Sequence, residues 1–119
     1  MRVFSRAAID ALGRTRSTPQ GVHVMAYAVF AHYRCAAADA GAVRAALLKM
    51  RELTREEPAN VAYEVHAEAE REGGFVLYEV YADRAGFEAH CAAAHFEELI
   101  LGVVRPLLAE RHVTFAEVL

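Results

Sequence analysis

A strand that feeds directly into a helix restricts this chain more than any other stretch. Residues 75–82 are a run of strand formers, Asp83 follows, and Phe87, His90 and Cys91 then recur at helical spacing. An aspartate at that boundary accepts hydrogen bonds from the free N–H groups of a first helical turn, so the helix is expected to start there. It continues or restarts near His95, with Phe96, Leu99, Ile100, Val103 and Leu107 on one stripe and Pro106 placed to kink its end. Immediately upstream, residues 60–68 alternate Val61, Tyr63 and Val65 against Asn60, Glu64 and His66. Between the two strands, residues 70–74 supply charge and the glycines Gly73 and Gly74, which suit a hairpin turn.

The remaining segments decide what this hairpin and helix belong to. Residues 23–33 are apolar on both faces, as in a strand inside a sheet. Asp39 stands where it could cap a helix carrying Val43, Ala46, Leu47, Met50 and Leu53 at three-and-four spacing, and Pro58 stops that helix. Residues 111–119 alternate again as a fourth strand. Strand, helix, strand, strand, helix, strand is the order of the split ferredoxin-like α+β fold, βαββαβ: a four-stranded antiparallel sheet with two helices on one face. One copy leaves the other face bare. Whichever of Tyr27, Val29, Phe75 and Leu77 do not meet the helices would expose apolar surface there, so a second copy, making a homodimer, is expected to cover it.

The chain of 119 residues is long enough for one domain, here residues 22–119. Residues 1–21, with four arginines and a Ser-Thr-Pro-Gln-Gly exit, are expected to be an extension outside it. With 55% hydrophobic and 24% charged residues, the composition is that of a soluble globular protein. Asp and Glu outnumber Lys and Arg by 16 to 13, which argues against nucleic acid as a partner. Cys35 and Cys91 are far apart without Cys-x-x-Cys spacing, the usage expected of reduced thiols in a cytoplasm. No apolar run approaches the ~20 residues of a membrane span, and Arg6 and Asp10 interrupt the N-terminus, so neither anchor nor signal peptide is expected.

Several polar groups fall where a strand or helix would bury them. Glu79 stands among Leu77, Val80 and Tyr81, where a carboxylate is costly unless a donor such as Tyr81 or His90 reaches it. Such a group can act as a general base, orient a histidine base, or simply tie strand to helix by a structural hydrogen bond. His90 and His95 are about 140° apart on an ideal helix and face one site only if the helix breaks near Ala92 to Ala94. No metal site is expected of the pair, since helical ligands prefer spacings of three or four and no Glu or Asp stands at the complementary offsets. Asn60 follows the Glu-Pro turn and either caps it or offers an amide that donates and accepts without changing charge. His66, with Glu64 on the same strand face, is a second candidate base. Tyr27, Tyr63, Tyr81 and Phe96 are core residues or walls of an apolar pocket. No phosphate loop, nucleotide fingerprint or nucleophile elbow is present.

Taken together, Glu57-Pro58-x-Asn60-x-x-Tyr63, the strand Glu79-x-Tyr81, Asp83, and His90 followed five residues later by His95-Phe96 resemble the antibiotic biosynthesis monooxygenase family. The resemblance covers residues 22–119. It implies a dimeric α+β barrel whose better-known members oxidise quinols or polyketide phenols with dioxygen and no bound cofactor. It also implies that Asn60 holds a substrate oxygen or dioxygen, that the helix breaks between His90 and His95, and that Glu79, His90, His95 and His66 are the groups to test for catalysis. The polyketide-oxidising branch carries a tryptophan four positions beyond the asparagine. Glu64 stands there instead, and the chain has no Trp, which points to a small electron-rich substrate. Two other functions fit the same fold: isomerisation of a small phosphorylated signalling metabolite, and small-molecule binding without catalysis. Haem degradation, which leans on a pocket tryptophan, is disfavoured.

Overall fold

The computed structural model describes residues 25–119. The expected extension, residues 1–21, and the expected start of the first strand at His23 lie outside the described residues. The elements are β1 (Tyr27–Cys35), α1 (Ala40–Thr54), β2 (Asn60–Ala67), β3 (Gly74–Tyr81), α2 (Arg84–Cys91), a π-helical segment (Phe96–Val104), a single turn α3 (Arg105–Leu107) and β4 (Leu108–Glu117). The four strands form one antiparallel sheet in the order β2-β3-β1-β4. This is the ferredoxin-like α+β arrangement that the alternating pattern predicts.

The helices cover one face. Ala31, Tyr33, Tyr63, Phe75 and Leu77 from the strands pack against Val43, Ala46, Leu47 and Met50 of α1 and against Ile100 and Val104 of the π-helical segment. Leu53, expected on the α1 stripe, is partly exposed, and Thr54 is buried in its place. Asp39 does not cap α1. It closes a 3-10 turn, Ala37–Asp39, in a helical backbone conformation, and its side chain makes no capping hydrogen bond. β4 begins at Leu108, three residues earlier than the alternation suggests, because the chain reverses directly after the α3 turn that contains Pro106.

The other sheet face carries a smaller apolar cluster, Ala28, Val80 and Ala82 with Ala62, Tyr78 and Ala116 against them, and Phe30 lies 39% exposed beside Tyr78. Tyr27, Val29, Phe75 and Leu77, the residues expected to supply that surface, all turn toward the helices instead. The β1–β3 register pairs Val29 with Glu79 and Tyr33 with Phe75, and places Phe30 with Tyr78 on the open side. The β2–β3 hairpin turns on Gly73, at φ +89°, where a Cβ would stand 2.3 Å from the carbonyl oxygen of Cys35. No helix among the described residues is long and apolar enough to cross a membrane.

Candidate functional site

The site starts from a turn. After α1, Glu57 N–H donates to Thr54 O and Asn60 N–H to Glu57 O, a tight succession set up by Pro58. Ala82 N–H donates to Ala59 O and fastens that turn to the end of β3. A register shift between Asn60 and Ala62 follows, so that Asn60 pairs with Tyr81 while Tyr63 pairs with Glu79. Both therefore lie on the helix face. Asn60 is fully buried, and its amide donates to Ala62 O at 2.9 Å and to Val80 O at 3.3 Å, stitching the bulge to β3.

Asp83 caps α2 as expected, accepting from Gly86 N–H at 2.8 Å. Gly86 is required there for a second reason: a Cβ would sit 2.6 Å from Ala59 Cβ, so only glycine lets the helix close against the Glu57 turn. One turn later His90 is buried between two carboxylates. Its Nδ1 lies 3.0 Å from Glu57 Oε2 and its Nε2 3.8 Å from Glu79 Oε1. Nδ1 is thus within hydrogen-bond distance of Glu57, whereas Nε2 stands beyond it from Glu79. Tyr81 donates its hydroxyl to Glu79 Oε1 at 2.7 Å, so Tyr81 rather than His90 is the close donor to that carboxylate. The rings of Tyr81, Phe96 and Tyr63, at centroid distances of 5.1, 5.2 and 6.0 Å, enclose the imidazole.

The helix breaks after Cys91, and the chain restarts as the π-helical segment at Phe96. That break brings His95 back to the same carboxylate, with Nε2 at 2.5 Å from Glu57 Oε2. Glu57, His90 and His95 thus converge, and one ligand-type atom from each lies within 4.8 Å of the others. The expectation of no metal site considered only acids on the helix itself, whereas this carboxylate comes from the turn before β2.

On its other side Glu79 faces a narrow cleft between the sheet and the second helical layer, with Phe87, Cys91, Phe96, Arg105, Arg111 and Phe115 among its walls. The cavity of about 40 Å³ has room for a water molecule or dioxygen, and an aromatic ring would have to displace a side chain such as Phe115, which is 49% exposed at its edge. Neither Asn60 nor His90 is among the cleft's lining residues, and Glu79 is the buried carboxylate presented to it, beside the buried Tyr33. Burial raises the Glu79 carboxyl above the usual carboxylate range, a trend that His90 and the Tyr81 hydrogen bond oppose and Glu57 reinforces. Burial, with Glu79 adding to it, pushes the Cys91 thiol up to about 11 and the Tyr81 hydroxyl far up, so both keep their protons at neutral pH.

His66 does not join this group. The bulge after Asn60 puts Glu64 and His66 on the open sheet face, where His66 Nε2 lies 3.3 Å from Glu64 Oε1, so the expectation that they share a face with Asn60 is corrected. Tyr27 stacks on Phe115 at 5.8 Å and tilts against Phe87 at 5.6 Å, two residues that wall the cleft, but is not itself among the lining residues. Glu57, Arg105, Arg111 and Phe115 were not singled out by sequence reasoning. Only Glu57 carried a signal, its place before Pro58.

The sequence profile of antibiotic biosynthesis monooxygenases matches residues 26–100, well over half of the chain. The chain belongs to the antibiotic biosynthesis monooxygenase family. No curated protein matches it. Among solved structures, an antibiotic biosynthesis monooxygenase is 26% identical with a TM-score of 0.73, the match covering 78% of this chain and 98% of that one. Rv0793 from Mycobacterium tuberculosis is 28% identical with a TM-score of 0.73, covering 79% and 95%. PA3566 from Pseudomonas aeruginosa, at 22% identity, TM-score 0.75 and coverage of 83% and 99%, shares the fold. The family match stops within the π-helical segment, so β4 and its Arg111 and Phe115 belong to the common architecture but lie outside the matched residues.

Proposed function

We propose that the protein is a cofactor-independent monooxygenase that oxidises a small electron-rich aromatic or quinol-type substrate with dioxygen, with Glu79 as the proton acceptor. The observation that carries this reading is a buried carboxylate, held by Tyr81 and backed by His90, that faces an apolar cleft. A carboxyl raised by burial is a better match to an acidic phenolic or carbon-bound proton than an exposed one. Arg105 and Arg111 at the cleft supply positive charge for the anion that proton removal creates.

In this scheme Glu79 takes a proton from an activated CH2 or phenol. The substrate anion then gives its electrons to dioxygen and forms a C–OO⁻ group on a carbon that keeps one hydrogen. The C–OO⁻ group takes the proton back from Glu79 to become C–OOH. Loss of water from that group leaves a C=O, so one oxygen atom stays in the product and the other leaves as water. The substrate is its own reductant, and the protein contributes orientation, a base and exclusion of solvent. His90 and His95, through Glu57, position the base, and Asn60 holds the β2–β3 junction from which Glu79 and Tyr81 project. Tyr27, Tyr63 and Phe96 shape the apolar surroundings. His66 has no part in it within one chain.

The working unit of this proposal is a cytoplasmic homodimer in which a second copy covers Phe30 and Tyr78 on the open sheet face. An oxygen electrode tests the chemistry. Chelator-treated protein should consume oxygen with members of a quinol and phenol panel, and Glu79→Gln should lower the rate by about 100-fold or more. A flat trace across the panel would overturn the reading, and turnover of a phosphorylated sugar without oxygen would replace it with isomerisation.

A further inference from the structure

Glu57 offers one carboxylate oxygen to two imidazoles, and the three groups arrive from three different elements: the turn before β2, the last turn of α2 and the residue just before the π-helical segment. We propose that Glu57 Oε2, His90 Nδ1 and His95 Nε2, the residues that position Glu79, also form a binding site for a divalent transition-metal ion of the zinc class. Two imidazoles and one carboxylate are a donor set that such ions take with a further position left for water.

The three donor atoms lie within 4.8 Å of one another. Glu57 Oε2 already lies 3.0 Å from His90 Nδ1, and bonds of about 2.0–2.2 Å to a central ion would set such edges at roughly 3.3 Å. The Glu57–His95 edge must open from 2.5 Å, and His95 can supply that movement because it is partly exposed and stands at the helix break. Behind the site, the remaining nitrogen of His90 lies 3.8 Å from Glu79 Oε1, which must close by less than about 1 Å to serve as the hydrogen-bonded outer partner of a metal-bound imidazole. Metal on Nδ1 would place the ring proton on Nε2, pointing at Glu79.

Access to Glu57 comes from a surface groove whose lining includes neither histidine. Glu57 walls an apolar groove of about 360 Å³ that is floored by the small residues Pro58, Ala59, Gly86, Ala89 and Ala93. Water completing the coordination shell, or a small ligand replacing it, has room there.

Cobalt(II) tests the proposal on tag-free, chelator-treated protein. One equivalent per chain should develop an intense visible band of low-coordinate cobalt, and zinc should abolish it. Glu57→Gln and His95→Ala should each weaken binding by about 100-fold or more, beyond the loss typical of an outer partner, while His66→Ala leaves it unchanged. His95→Cys should restore tight binding and add a sulfur-to-cobalt charge-transfer band. Failure of the unaltered protein to bind one equivalent, binding that survives Glu57→Gln and His95→Ala, or a cysteine variant without the new band would each overturn the site. These outcomes are read without any oxygen consumption, so they stand or fall separately from the monooxygenase reading.

Discussion

Glu57 and His90 are 33 residues apart in the chain and 3.0 Å apart in the fold. Their meeting depends on a turn fixed by backbone hydrogen bonds at Thr54 and Asn60, and on a helix start with no side chain at Gly86. Replacement of Glu57 by Gln keeps the shape and removes the charge that orients the imidazole. On the proposed chemistry, kcat should fall by about 100-fold with KM little changed, because the pair acts on the base rather than on substrate contact. Steady-state oxygen consumption with the best substrate of the panel measures both.

Burial of Glu79 links stability to pH. Its carboxyl is raised in the folded state, so the folded protein holds that proton more tightly than the unfolded chain does. The stabilisation is fully present below the usual carboxylate range and is lost as pH rises through the raised value. Glu79→Gln, which still accepts from Tyr81, should therefore be more stable than the unaltered protein at neutral pH, by about 1.4 kcal/mol for each unit of elevation. The difference should vanish in acid. Urea unfolding at several pH values measures it, and a more stable but inactive variant is the signature of a strained catalytic group.

Gly73 holds the β2–β3 hairpin at positive φ and lies against the end of β1, where Cys35 N–H donates to Gly73 O at 2.8 Å. Gly73→Ala meets both an unfavourable backbone conformation and the Cys35 carbonyl. A loss of about 2–4 kcal/mol in unfolding free energy is expected. Loss of thermal stability without loss of secondary structure at low temperature would show it.

Phe30 is exposed on the sheet face opposite the helices, next to Tyr78 and in line with Glu64 and Thr114. If a second copy covers this face, burying the exposed remainder of Phe30 contributes about 1 kcal/mol per chain, and Phe30→Asp replaces that gain with a charge-burial penalty. Sedimentation should show a dimer for the unaltered protein and a monomer for the variant. A monomer in both would dispose of the dimer.

Much of the fold is legible in the sequence because patterning and punctuation act locally. Alternation in β2 and β3, the stripe on α1 and the Asp83 cap each depend on residues within a few positions of one another, whereas the break after Cys91 is implied only by the family resemblance. Asp39 shows the limit: a good capping residue lost its role because the chain entered a 3-10 turn first. The site is less legible. One extra residue between Asn60 and Ala62 reversed the faces of everything after it, separating His66 from Asn60, and a bulge leaves no mark in an alternating pattern until its partner strand is known.

By itself, then, the sequence determined the order of the elements, the burial of Glu79 and the family that its spaced Glu, Asn, Tyr and His residues match, since those follow from residue type and short-range spacing. Only the tertiary structure decided that Glu57 serves both histidines, that Arg105 and Arg111 close on the cleft, and which aromatic residues lie open on the far face. These are contacts between elements distant in the chain, fixed by strand register and by how closely α2 packs on its neighbouring turn, and neither quantity is written in local spacing.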